Sequence, residues 1–187
     1  YVFDGNLDSY YEEVCETNPK TAYGKTKLLG EEAIQRHLNK YIIIRTSWLF
    51  SLHGKNFFKT MLELGSSNDE LSIVGDQIGC PTYAPDLVKA TIATLPYVQS
   101  SKHFGVYHFG GAPSCSWADF AENIFEIALK YKKISKKPSI ERILTEVSKS
   151  KAERPLNSRL DSSLFEKRFG IPPSNWKDGI EKMMTLK

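Results

Sequence analysis

The chain has 187 residues, of which 41% are hydrophobic, 25% charged and 12% aromatic. That is about one domain's length, with enough apolar side chains to bury roughly 70% of the unfolded surface, and it excludes disorder, collagen-like repeats and low complexity. Lys and Arg number 25 against 22 Asp and Glu, and the formal charge of +3 is too small to signal nucleic-acid binding, though it suits an anionic small ligand.

Tyr1-Val2-Phe3 has strand character and runs into the turn signal Asp4-Gly5, so the chain is expected to start inside a strand. No charged-then-apolar leader opens the sequence, so export is not expected. Thr21 to Leu38, rich in Lys, Glu, Leu and Ala and free of Pro, predicts a helix with Thr21 as its N-cap. The β-branched run Tyr41-Ile42-Ile43-Ile44 predicts a parallel strand buried on both faces and ending at Arg45-Thr46-Ser47. This is the longest apolar stretch, far short of the about 20 residues of a membrane helix. Phe57 to Leu64 reads as a helix, Leu71 to Val74 as a short strand, and Asp76 to Thr82 as a loop. The loop feeds a helix with Pro85 in its first turn and a stop near Pro96.

Gly105 to Phe109 reads as a strand, and Ser116 with Asp119 as a capping-box start for a helix reaching Tyr131. Trp117, Phe120, Ala121, Ile124, Phe125 and Ala128 give that helix an apolar face. Its exit carries Lys130, Lys132, Lys133, Lys136 and Lys137, which suit a solvated helix end or a phosphate site. Two short helices, Ser162 to Phe169 and Asn175 to Leu186, flank the breakers Gly170-Ile171-Pro172-Pro173. Helices alternating with buried strands define an α/β fold. Cys15, Cys80 and Cys115 lack C-x-x-C spacing and His37, His53, His103 and His108 lack ligand spacing, so neither a disulfide framework nor a metal site is expected. His108, inside an apolar strand pattern, reads as a hydrogen-bonded structural residue.

Tyr23 and Lys27 stand four positions apart on one helix face, where the ammonium would favour the phenolate and ready the phenol for acid catalysis. A Tyr-x-x-x-Lys pair is also what an ordinary helix surface produces by accident. The surrounding segments are more specific. Tyr1-Val2-Phe3-Asp4-Gly5, Tyr23-Gly24-Lys25-Thr26-Lys27-Leu28-Leu29-Gly30-Glu31, Ile44-Arg45-Thr46-Ser47-Trp48-Leu49-Phe50, Asn56-Phe57, Asp76-Gln77-x-Gly79-x-Pro81-Thr82 and Arg154-Pro155-Leu156-Asn157-Ser158-Arg159-Leu160 occur in that order. The order resembles the dTDP-4-dehydrorhamnose reductases of the extended short-chain dehydrogenase/reductase family, across essentially the whole chain.

The resemblance implies a partial Rossmann-type parallel sheet over residues 1–110, with some interleaved substrate-lobe segments, and a smaller C-terminal substrate-binding lobe over 111–187. Members of the family begin with a Gly-x-x-Gly-x-x-Gly turn that receives the cofactor pyrophosphate, and carry Ser or Thr just before the Tyr-Val-Phe-Asp-Gly segment. None of the twelve glycines reproduces that turn, so the chain is expected to be the C-terminal part of such a reductase.

By resemblance, Tyr23 is the proton donor and Lys27 holds the nicotinamide ribose of NADPH, with NADH also possible. Trp48, at a strand end, is read as a wall for the sugar or as a core tryptophan; Arg154 as a diphosphate ligand or a surface salt bridge; Asn56, Gln77 and Thr82 as substrate-pocket linings. The resemblance further implies a cytoplasmic enzyme of surface-polysaccharide synthesis with a dTDP-sugar as partner, no nucleic acid or membrane, and a possible homodimer. The alternative is a non-catalytic binding subunit of the same fold, like the methionine adenosyltransferase β subunit.

Overall fold

The first regular element of the computed structural model, which describes residues 1–98, 103–148 and 153–186, is α1 (Ala22–His37). Thr21 caps it as the sequence predicts, its Oγ1 accepting from the Gly24 N–H at 3.1 Å, and Arg36 and His37 lie in the last turn, where cations are favoured. β1 (Ile42–Arg45), β2 (Leu49–Phe50) and α2 (Phe57–Ser67) follow. β3 (Glu70–Val74), β4 (Ile78–Gly79) and β5 (Thr82–Tyr83) lead into α3 (Ala84–Thr94), which has Pro85 in its first turn and tightens into a 3-10 turn at Leu95–Tyr97. β6 (Gly105–His108), β7 (Gly111–Ala112) and β8 (Cys115–Ser116) precede α4 (Trp117–Lys130). The predicted capping box is formed there: Ser116 Oγ accepts from the Asp119 N–H and Asp119 Oδ2 from the Ser116 N–H, both at 3.0 Å. β9 (Ser139–Ile143), α5 (Ser163–Phe169), β10 (Ser174–Asn175) and α6 (Trp176–Thr185) complete the order.

Strand pairing is mainly parallel. β1 runs beside β6 with Ile42 opposite Gly105 and Arg45 opposite His108, β3 beside β9, β2 beside β5 and β7 beside β10; β4 and β8 are antiparallel. Parallel neighbours need long crossovers, and α2 and α3 lie in the connection from β1 to β6, giving the α/β arrangement the sequence predicts.

Several expectations are corrected. Tyr1-Val2-Phe3 forms no strand: among the described residues its backbone tie is the Val2 carbonyl accepting from Asn18 N–H at 3.0 Å, although Val2 and Phe3 are buried. β1 is half-buried rather than covered on both faces, and among the described residues its ladder partner is β6. The segment from Asp76 to Thr82 is not wholly loop, since Ile78–Gly79 pairs with Cys115–Ser116. β9 went unread in the sequence, and it forms a five-residue parallel ladder with β3.

The main core takes Phe50, Phe58 and Tyr83 from before residue 110 and Phe120, Phe125, Ile180 and Trp176 from after it. A second cluster joins Tyr107 and Phe109 on or beside β6 to Phe165 and Phe169 of α5. The two halves therefore share their apolar interior. The lysine run is solvated and paired, Lys130 with Glu181 at 2.7 Å, Lys137 with Glu126 at 2.8 Å and Lys136 with Asp69. Cys80 and Cys115 are free and buried, and burial pushes both thiols up, that of Cys80 to about 11. Among the described residues no helix is long and apolar enough to cross a membrane, and no group of three His, Cys, Asp or Glu side chains could hold a metal.

Candidate active site

Helix geometry puts Tyr23 and Lys27 one above the other, with the Lys27 Nζ 5.6 Å from the centre of the Tyr23 ring, an open cation–π contact. The Tyr23 side chain is 59% exposed. Only Gly24 of α1 is buried, because a residue with a Cβ there would collide with the Tyr1 carbonyl and Pro19. One turn beyond Lys27, Glu31 reaches Arg45 at the end of β1 through a forked ion pair, with Arg45 Nη2 at 2.7 Å and Nε at 3.0 and 3.1 Å from the carboxylate oxygens. Both side chains are nearly buried, so this pair and Gly24 fasten the helix to the strand.

Four cavities meet around Tyr1. One of about 330 Å³ is lined by Tyr23, Lys27, Glu31, Arg45, Thr46 and Ser47, with Val2 and Phe3 opposite. One of about 730 Å³ takes Tyr23, the start of α1, Trp48 and Arg154. A third, of about 330 Å³, lies between Asp4-Gly5-Asn6 and Arg154-Pro155-Leu156. The fourth, of about 520 Å³, is lined by Trp48, Phe57, Gln77, Trp117, Thr145 and Arg154 among others. Tyr1 lines all four, and Arg154 three of them. Burial pushes the Tyr1 phenol up, and its hydroxyl meets both Arg154 and Trp48.

Trp48 leaves β1 with a positive φ of 46°, a backbone conformation rare for a bulky residue and often associated with functional sites. Its carbonyl accepts from Thr82 N–H at 3.1 Å, and its indole lies flat on Trp117, ring centres 3.5 Å apart and 8° from parallel. Gly79 makes room for this stack, since a methyl there would overlap the Trp48 ring.

The structure brings Tyr23, Lys27, Trp48, Gln77 and Arg154 together around these joined cavities. It does not bring in the other two. Thr82 is fully buried, its Oγ1 donating to the Cys80 carbonyl and accepting from Gly111 N–H, each at 3.1 Å, so it ties β5 to β7 out of a ligand's reach. Asn56 is the N-cap of α2: its Oδ1 accepts from Lys59 N–H at 3.2 Å and its Nδ2 donates to the Ser51 carbonyl at 2.7 Å, which commits the side chain to the helix start. His108 is structural as expected. Its Nδ1–H donates to the Tyr11 carbonyl at 3.0 Å and Nε2 faces Arg45 at 3.4 Å, and burial with that neighbouring cation lowers the imidazole to about 4.

Sequence reasoning missed Tyr1, read only as a strand residue, and Trp117, read only as core. It also missed Thr46 and Ser47, whose Oγ atoms are buried on the cavity walls with no hydrogen-bond partner among the described residues. Their signal was available: polar residues following an apolar parallel strand mark the strand end where α/β sheets receive ligands. Two orphaned hydroxyls, a phenol and an ammonium on the walls of adjoining cavities are a donor set that fits the hydroxyls of a nicotinamide ribose.

Residues 1–186 match the family described as "RmlD substrate binding domain". A dTDP-4-dehydrorhamnose reductase of Aggregatibacter actinomycetemcomitans is 41% identical over 185 residues, covering 98% of this chain and 63% of that protein. Among solved structures, a dTDP-4-dehydrorhamnose reductase from Clostridium acetobutylicum superposes with a TM-score of 0.88 at 35% identity, over 98% of this chain and 62% of that one. The Bacillus anthracis dTDP-4-dehydrorhamnose reductase in complex with NADP gives 0.82 at 36%, over 98% and 61%. The chain thus spans about three fifths of the length of the relatives it matches. With the family match running from the first residue to residue 186, this chain belongs to the RmlD substrate-binding domain family.

Proposed function

We propose that this chain supplies the acid and the sugar-nucleotide site of a cytoplasmic, NADPH-dependent dTDP-4-dehydrorhamnose reductase, which converts the C4 keto group of its substrate to the alcohol of dTDP-L-rhamnose. The observation that carries this reading is a shared wall: Tyr1, Trp48 and Arg154 line both the cavity that holds Tyr23 and the neighbouring one under Trp117. A sugar beside Tyr23 and a nucleotide under Trp117 would be joined by a diphosphate at Arg154, whose planar fork matches phosphate oxygens.

In this reading Tyr23 donates its phenolic proton to the C4 oxygen, and Lys27 balances the charge left on the phenolate. Lys27, with the Thr46 and Ser47 hydroxyls, would also hold the nicotinamide ribose. NADPH, when bound, supplies the hydride. Trp48 excludes water from one side of the sugar.

The test is kinetic, in the full-length protein. Tyr23→Phe keeps the ring and removes the proton, so turnover should fall by roughly 10² to 10⁴ with little change in substrate affinity. Lys27→Met should lower turnover and also weaken NADPH. If Tyr23→Phe leaves turnover within about threefold of wild type, well below what a general acid contributes, Tyr23 is not the acid and a non-catalytic binding subunit becomes the better reading.

A further inference from the structure

A directed chain of hydrogen bonds runs from Asp76 to the tryptophan stack. The Asp76 carboxylate accepts from the Thr145 hydroxyl at 2.7 Å and from the Thr145 N–H at 3.0 Å. An ionised carboxylate only accepts, so the Thr145 hydroxyl must spend its one proton on it and can offer Gln77 nothing but a lone pair. Gln77 Nε2 accordingly donates to Thr145 Oγ1 at 3.1 Å, which turns the other end of the amide, Oε1, toward the Trp117 Nε1–H, also at 3.1 Å. Gln77 is 5% exposed, so a flipped amide would leave two groups unsatisfied in a place water does not easily reach. Trp117 in turn lies against Trp48, which with Tyr1 and Arg154 lines both cavities.

We propose that Gln77 is a positioning residue for the sugar: its amide, oriented by Thr145 and Asp76, fixes the tilt of Trp117 and through the stack the plane of Trp48 at the boundary of the two cavities. The proposal rests on the dTDP-sugar reading of the cavities and adds to it that the sugar's wall is set from Asp76, a residue that lines neither of them. It also ties the turn at Thr145–Val147 to the site, because loss of the Thr145 contacts would release Gln77 as well.

Stacked indoles couple their strong ultraviolet transitions, and a circular-dichroism couplet that disappears in Trp48→Phe reads the stack without any ligand. Trp48→Phe assigns that couplet, since Trp176 packs instead against Phe120 with its N–H on the Pro113 carbonyl. Gln77→Met, close in shape but without the amide, should reduce the couplet by about half or more, and should raise the dissociation constant for dTDP-L-rhamnose about fivefold but that for dTDP, whose nucleotide also meets Trp117, by no more than about twofold. Asp76→Asn, acting from outside the cavities, should move both readings in the same direction by less. Thermal unfolding curves identify a variant that has lost its fold, in which case Asp76→Asn decides. An unchanged couplet in a folded variant overturns the relay, whatever the protein's activity. A reduced couplet with equal losses for dTDP and dTDP-rhamnose overturns the positioning of the sugar. Neither result bears on Tyr23, whose kinetic test reads the proposed reaction separately.

Discussion

His108 shows how one buried side chain makes the molecule sensitive to acid. Its folded imidazole titrates near 4 against an ordinary 6.5, because burial and the Arg45 cation disfavour the charged form. Between those values the unfolded chain holds the extra proton, so this contribution to stability is complete above about pH 6.5 and is lost as pH falls toward 4, about 2 kcal/mol of it by pH 5. His108→Gln can still donate to Tyr11 and accept from Arg45, yet does not titrate. Urea midpoints measured near pH 7.5 and near pH 5 should fall less in the variant than in wild type; equal losses in both would show that His108 is not the sensitive group. The same scale explains what was hard to read. Thr82, Asn56 and Gln77 all looked like polar residues of loops near a ligand, and only their partners separate them: Thr82 ties strands, Asn56 caps a helix, and Gln77 faces a cavity.

At the scale of elements, α1 carries two glycines with opposite expectations. A methyl on Gly24 would collide with the Tyr1 carbonyl and the Pro19 ring, whereas nothing lies within 4 Å of one placed on Gly30. Gly24→Ala should therefore lower stability by about 1–3 kcal/mol and move Tyr23 relative to β1, while Gly30→Ala, in an exposed helix interior, should raise it by about 0.5–1 kcal/mol. Chemical denaturation of both variants checks this, and two changes of the same sign would mean that Gly24 is not the docking point of the helix. Helices were the legible elements because their starts are written in local chemistry, as at Thr21 and at Ser116 with Asp119. Strands were less so. β2, β4, β5, β7, β8 and β10 are two residues each, too short to show an alternation, and β9 reads as polar sequence after a lysine run until β3, some seventy positions earlier, supplies its ladder.

For the whole molecule, the sequence gives the kind of chemistry but not the enclosure. Tyr23 with Lys27 could be read from spacing and motif order, because four positions on a helix always share a face. The joined cavities could not, because Tyr1, Trp48, Trp117 and Arg154 come from segments up to about 150 residues apart and meet only in the folded chain. In the proposed function these segments form a site for a nucleotide diphosphate sugar with Arg154 at the diphosphate. Calorimetric titration of the chain with dTDP-L-rhamnose, beside Arg154→Ala, tests it directly. Charge-assisted hydrogen bonds to phosphate should make the variant weaker by about 1.5–3 kcal/mol, roughly 10- to 150-fold in dissociation constant. Equal dissociation constants for the two proteins, or no binding by either, would contradict it.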